Sequence, residues 1–222
     1  MKKISLTFLK GILAGLAIGL GGFTFILFTF LLDNEVGKVI GSFTFAIGLF
    51  LVCTFSLNLY TGKIGLIYEE KKDKRFFLDL LIMYVGNICG AVAIGYLCYF
   101  IFKDQDIFNR VKTVSSSRIV FNDFYDYLRC MVQSFLCGTC VYLAVRTYAF
   151  AKNKALGILL LVLFVFVFVY SSYQHCIANM FYLAFGNEYG NWQAYINILI
   201  CTLFNSLGPI LGYLVLKVFS KR

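Results

Sequence analysis

The only histidine of the chain, His175, stands in Tyr170-Ser171-Ser172-Tyr173-Gln174-His175-Cys176-Ile177-Ala178-Asn179-Met180. This polar interruption separates an apolar run over residues 155–170 from a shorter one over 180–185. Imidazole is the side chain whose ordinary proton exchange falls near neutral pH, so its chemistry here is proton donation or polarisation of nearby donors. An ionisable group at membrane depth is a functional-site candidate by default. A second interruption, Asn58-Leu59-Tyr60-Thr61-Gly62-Lys63, cuts another long apolar stretch. A helix broken at mid-depth exposes backbone N–H groups at one new end, which attract anions, and C=O groups at the other. Thr61 and His175 would add a hydroxyl and an imidazole to those donors, with Phe45, Leu49 and Tyr60 as apolar neighbours that narrow the path. Such a site suits a small monovalent anion or its conjugate acid. Stripping an anion of water in an apolar constriction is costly, and protonation near the centre removes most of that cost.

The elements that must hold these breaks are membrane helices. Hydrophobic residues make up 60% and charged residues 14% of the 222, and mean hydropathy is +0.82. A soluble domain needs far more surface charge. One proline with 25 Phe and 15 Tyr favours long helices over a barrel of alternating strands. The first apolar stretch is too long for a cleaved leader and other spans follow it. With about 20 residues per crossing, the chain divides into six spans near 8–32, 39–68, 76–102, 124–150, 155–183 and 192–219, the second and fifth broken. The segment 103–123 reads as a surface loop and the run 69–75 as a solvated one. Eleven Lys and Arg (Lys2, Lys3, Lys71, Lys72, Lys74, Arg75, Lys152, Lys154, Lys217, Lys221, Arg222) flank one side, against five (Lys38, Lys103, Arg110, Lys112, Arg118) on the other. The positive-inside rule then puts both termini in the cytoplasm. The net charge of +9 is explained by this topology rather than by nucleic acid.

Folding the chain at the 103–123 segment brings the two broken spans into register. The expectation is one all-α transmembrane domain over 1–222, built of two inverted three-helix repeats near 8–102 and 124–219. Gly86-Asn87-Ile88-Cys89-Gly90 and Gly208-Pro209-Ile210-Leu211-Gly212 place small residues one turn apart in spans three and six, as Gly11, Gly15 and Gly19 do in span one.

Competing readings attach to most of these residues. Cys137-Gly138-Thr139-Cys140 has redox or zinc spacing but no partner pair, so small packing residues account for it better. Thr61 also suits a helix cap, and Lys63 either snorkels to an interface or draws anions into a vestibule. An embedded hydrolase would need a nucleophile with its base or a metal set; with one histidine and Asp79 as the main span carboxylate, no catalysis, metal or cofactor is expected. A substrate-capturing subunit of a larger uptake complex is the alternative to a pore.

The chain resembles the formate/nitrite transporter family. The matching pieces are Lys10-Gly11-Ile12-Leu13-Ala14-Gly15, Leu59-Tyr60-Thr61-Gly62, Gly86-Asn87-Ile88-Cys89-Gly90, Leu143-Ala144-Val145 and His175-Cys176-Ile177-Ala178-Asn179-Met180. The resemblance implies an aquaporin-like fold, a homopentamer with one pore per protomer, and a cell-membrane channel for formate, nitrite or hydrosulfide in a bacterial inner membrane. It implies a substrate pathway at His175, Thr61 and Asn179, and constrictions at Phe45, Leu49, Tyr60, Val141 and Phe168. Four positions depart from the family pattern. Asn58 replaces an acid, Gln174 a glutamate, Asn122 the lysine expected before span four, and Pro209 the asparagine expected in span six, although Asn205 lies one turn earlier. Lys63 and Arg118 are the candidate substitutes for the missing lysine.

Overall fold

The computed structural model describes residues 2–69 and 74–219, and every regular element among them is a helix. The order is α1 (Lys2–Leu31), α2 (Glu35–Thr44), α3 (Ala46–Thr54), the short α4 (Tyr60–Lys63) continuing into a 3-10 turn (Ile64–Tyr68), and α5 (Lys74–Phe102). The second half holds α6 (Ile107–Ser116), α7 (Phe124–Phe150), α8 (Lys154–Tyr170), α9 (Cys176–Phe185) and α10 (Trp192–Phe219). Among the described residues five stretches are long and apolar enough to cross a membrane: 4–31, 35–54, 75–102, 124–150 and 192–214. The fifth expected span appears as two shorter apolar helices, α8 and α9, of 17 and 10 residues. Leucines such as Leu9, Leu13, Leu81, Leu159, Leu199 and Leu203 face outward, a surface that suits lipid rather than water.

Two expectations about segments change. The 103–123 segment is not a plain loop, because α6 occupies its middle. Ile107, Val111 and Ser115, spaced four apart, form its buried face; a stripe with two apolar residues is too thin to stand out in the sequence. The second span also tightens at Phe45, where the Gly48 N–H donates to the Phe45 carbonyl at 3.1 Å, three residues back. Of the charges that set the topology, Lys71, Lys72, Lys221 and Arg222 lie outside the described residues, as does most of the 69–75 run. Lys38 and Arg110 line one cavity with Asp33 and Glu35, and Arg110 pairs with Asp33.

α1 lies along α5, and α7 along α10, each pair held by glycines that let backbones touch. A Cβ on Gly90 would sit 2.1 Å from the Ile12 carbonyl oxygen, and one on Gly15 would sit 2.3 Å from that of Asn87. The second half repeats this: Gly208 against the Phe135 oxygen at 2.3 Å and Gly138 against the Asn205 oxygen at 2.4 Å. The register therefore pairs Gly90 with Gly208 and Asn87 with Asn205, which corrects the sequence reading that set Gly86–Gly90 against Gly208–Gly212. Pro209, as a residue without an N–H, removes the helical donor that the Asn205 carbonyl would otherwise meet. Gly90→Ala is expected to cost about 3 kcal/mol, since its obstacle is backbone that cannot rotate away. Thermal unfolding of the purified protein checks this against Gly190→Ala, where nothing lies within 4 Å; equal shifts for the two would refute it.

Candidate functional site

Both broken spans end in the same way. α3 closes with the Ser56 N–H donating to the Cys53 carbonyl at 3.3 Å and the Leu57 N–H to the Val52 carbonyl at 2.9 Å. α8 closes with the Ser172 N–H donating to Val169 and the Tyr173 N–H to Phe168, both at 2.9 Å. This is a Schellman cap, which places the residue after the cap in the left-handed region. Serine occupies that place in both, at φ 50 for Ser56 and φ 56 for Ser172, where glycine is the usual choice. Five residues then separate helix from helix in each half, 55–59 and 171–175.

A buried asparagine restarts the helix in each case. Asn87 Oδ1 accepts from the Tyr60 N–H at 2.9 Å, and Asn205 Oδ1 accepts from the Cys176 N–H at 2.8 Å. Each amide nitrogen donates twice: Asn87 to the carbonyls of Gly11 and Asn58, both at 2.8 Å, and Asn205 to those of Ser134 at 2.6 Å and Gln174 at 2.8 Å. Both asparagines are fully buried. Each uses three of its bonds to fasten a broken loop to two long helices. Pro209 is therefore no loss, because Asn205 does the work that the sequence reading assigned to position 209.

His175 is the N-cap of α9, in extended backbone at φ −101 and ψ 116. Its Nδ1 accepts from the Ala178 N–H at 3.2 Å, and its Nε2 lies 3.0 Å from the Thr61 hydroxyl. A neutral imidazole accepts at one nitrogen and donates at the other. Nδ1 is taken as acceptor, so Nε2–H donates to Thr61, whose own hydroxyl proton is left free to point onward. Thr61 is fully buried and His175 nearly so. One side-chain contact thus joins the start of α4 to the start of α9. The first N–H groups of both short helices are taken up by Asn87 and Asn205, and the Thr61 hydroxyl sits at the contact itself.

Cavities approach this contact from two directions. One, with about 20 Å³ of free volume, is lined by His175, Phe45, Phe168, Asn179, Arg118 and Tyr182, among others. That is room for about one water-sized group. Phe45 and Phe168 meet edge to face at 5.8 Å, and Phe168 stacks on the imidazole at 6.0 Å. The other cavity, of about 350 Å³, includes Ser56, Gly62, Lys63, Val145 and Tyr148 in its lining. Leu49 and Val141 are buried at about 1% exposure but line neither cavity. Tyr60 turns away: its ring packs on Tyr84 at 4.8 Å and its hydroxyl meets that of Ser206 at 2.9 Å.

The two candidate cations lie at opposite cavities. Arg118 reaches the narrow one, with its NH1 donating to the Ser172 carbonyl at 3.4 Å and its guanidinium 5.6 Å from the Tyr182 ring centre. Its Nε is buried with no protein acceptor among the described residues. Asn122 instead pairs through its backbone N–H with Asp126 at 2.8 Å. Lys63 reaches the wider cavity and donates to Asn58 Oδ1 at 2.8 Å. Asn179 holds the matching place in the second half, where its Nδ2 donates to Gln174 Oε1 at 2.7 Å. The departures Asn58 and Gln174 therefore act as acceptors for the residue five positions on, one of them now a lysine. Sequence reading missed the supporting network behind His175: Asn179 also donates to Asn197 at 2.9 Å, and Gln174 donates to Gln133 at 3.3 Å. The one signal for it was the run of polar residues inside otherwise apolar spans.

Residues 1–219 match a family model described as formate/nitrite transporter. A formate-nitrite transporter of Entamoeba histolytica is 25% identical over 201 residues, 86% of this chain and 54% of the relative. The chain thus spans about half the length of that curated relative. A solved pentameric formate channel with formate bound superposes with a TM-score of 0.78 at 22% identity, covering 98% of either chain. An ion channel of the FNT family superposes at 0.76 and 24% identity, over 96% of this chain and 88% of that one. These likenesses show the fold.

Proposed function

As the chain belongs to the formate/nitrite transporter family, we propose that it is a channel or transporter for small monovalent anions: formate, nitrite or hydrosulfide, or their conjugate acids. The observation that carries this reading is the buried Thr61–His175 hydrogen bond at 3.0 Å, set between a cavity that ends at the imidazole and one that begins beside α4. The anion is drawn in by Arg118 on one side and Lys63 on the other. It gives up water between Phe45 and Phe168 and meets N–H and O–H donors at the centre. Passage through so narrow an apolar gap favours the protonated form, and His175, acting through Thr61, is the group that governs proton exchange there. Asn179 holds the His175 loop in shape, while Leu49, Tyr60 and Val141, which line neither cavity, are left outside the path. Nothing in this chemistry calls for bond-making beyond proton transfer, so transport rather than catalysis is assigned.

The wider assembly follows the same reading. Six crossings form two inverted repeats, supported by the paired caps and the Asn87 and Asn205 bonds. Both termini face the cytoplasm of a bacterial inner membrane, supported by the charge distribution, and five copies assemble with one pore each. Flux of formate, nitrite, hydrosulfide, lactate and chloride into proteoliposomes of the purified protein tests the proposal. Selective passage of one or two of the first three, without chloride, is expected. No flux of any anion from intact oligomers would overturn it, and flux only after a partner protein is added would point to a capturing subunit.

A further inference from the structure

We infer that Glu188 is the positioning residue for Arg118, an assignment that rests on the reading of Arg118 as the cation drawing anions into the narrow cavity. Glu188 lies in the turn between α9 and α10 and is 5% exposed, a buried carboxylate that the pore chemistry does not use. Its own backbone is fixed. The Glu188 N–H donates to the Leu183 carbonyl at 2.8 Å, closing α9 with the same cap that ends α3 and α8. Its carboxylate grips the end of α6. Oε1 accepts from Lys112 Nζ at 3.0 Å, from the Ser115 hydroxyl at 3.3 Å and from the Ser116 hydroxyl at 3.4 Å. Oε2 accepts from Asn191 Nδ2 at 2.8 Å.

Ser115 and Ser116 are also the residues from which Arg118 hangs. The Arg118 N–H donates to the Ser115 carbonyl at 3.0 Å, and the Ile119 N–H donates to that of Ser116 at 3.1 Å. Gly186 closes the joint from beneath, since a Cβ there would fall 2.1 Å from Ser115 Oγ. The far end of α9 therefore holds the turn that returns Arg118 to the mouth above His175, while the near end of α9 is capped by His175 itself. Without the carboxylate, the Ser116 hydroxyl loses its acceptor, that of Ser115 keeps only the Lys112 carbonyl at 3.2 Å, and the turn loses its anchor to α9.

The sign of the effect separates positioning from simple charge. A carboxylate near an anion entrance repels anions, so a purely electrostatic role predicts that Glu188→Gln lowers the half-saturating concentration of formate. Positioning predicts the opposite: about a threefold rise with little change in maximal flux. It further predicts that Glu188→Gln adds nothing once Arg118→Gln is present. The anchoring itself is read by hydrogen exchange of the 107–121 segment, whichever anion crosses. The Arg118 and Ile119 amides are expected to exchange about tenfold faster in both Glu188→Gln and Ser115→Ala. Unchanged exchange in both variants, or a lowered half-saturating concentration in Glu188→Gln, would overturn the assignment. Faster exchange in both, with Arg118→Gln leaving the formate dependence unaltered, would uphold the anchor and reject anion attraction by Arg118.

Discussion

Asn205→Leu is expected to abolish flux and to cost about 3 kcal/mol or more in the stability of the purified protein, although residue 205 touches neither cavity. The leucine is close in size, so the effect is one of bonds rather than volume. The side chain makes three hydrogen bonds: to the Cys176 N–H, the Ser134 carbonyl and the Gln174 carbonyl. Each partner is buried, and a buried polar group left without a partner costs about 1–3 kcal/mol. Membrane hydrogen bonds often measure less, about 0.6 kcal/mol on average, because the unfolded chain finds other partners. Here Ser134 lies within α7, while the Cys176 N–H belongs to the open first turn of α9 and the Gln174 carbonyl to a non-helical loop. Backbone of that kind is tolerated at membrane depth only when protein satisfies it. Asn205→Asp sharpens the test, since a carboxyl buried here is held protonated and still accepts from Cys176 but can donate to only one of the two carbonyls. An order of stability with wild type highest, then Asp, then Leu, read by thermal unfolding of the oligomer, is the expected result. A leucine variant as stable as wild type would show that the α9 start needs no such anchor.

Much of this arrangement was visible in the sequence because membrane depth makes polarity conspicuous. Thr61 and His175 stood out as polar residues inside long apolar runs, and the structure joins them directly. What the sequence hid was register and turn chemistry. The matching of span three to span six went astray because two glycine pairs compete, and only the distances at Gly90 and Gly208 decide between them. The left-handed turns carry serine where glycine would have announced them. α6 has too thin an apolar stripe to declare itself, and Glu188 lay in a segment that looked like any other loop. Tyr60 sits beside Thr61 in sequence but is carried to the opposite side of α4, where a packed partner on α5 and a hydroxyl on α10 receive it.

The proton-linked role of His175 is open to a substitution that separates its two bonds. Nδ1 caps α9 by accepting from the Ala178 N–H, and Nε2 serves Thr61. Asparagine is among the best N-cap residues, and its Oδ1 can take the place of Nδ1. The shorter side chain does not reach Thr61. His175→Asn is therefore expected to keep α9, the oligomer and the unfolding temperature close to wild type while Thr61 loses its partner. His175→Ala, by contrast, also gives up the cap, worth about 1 kcal/mol. If the imidazole governs proton exchange for the passing anion, His175→Asn lowers formate flux by about tenfold or more and flattens its dependence on pH. Thr61→Val, nearly the same shape, should lower flux to a similar degree, because it removes the hydroxyl through which the imidazole acts and strands a buried Nε2–H. The double variant should then be no worse than either single one, since both changes cut one chain of donors. Folded His175→Asn oligomers with flux and pH dependence equal to wild type would reduce His175 to a helix cap, and the pore would then depend on backbone N–H groups and apolar narrowing alone.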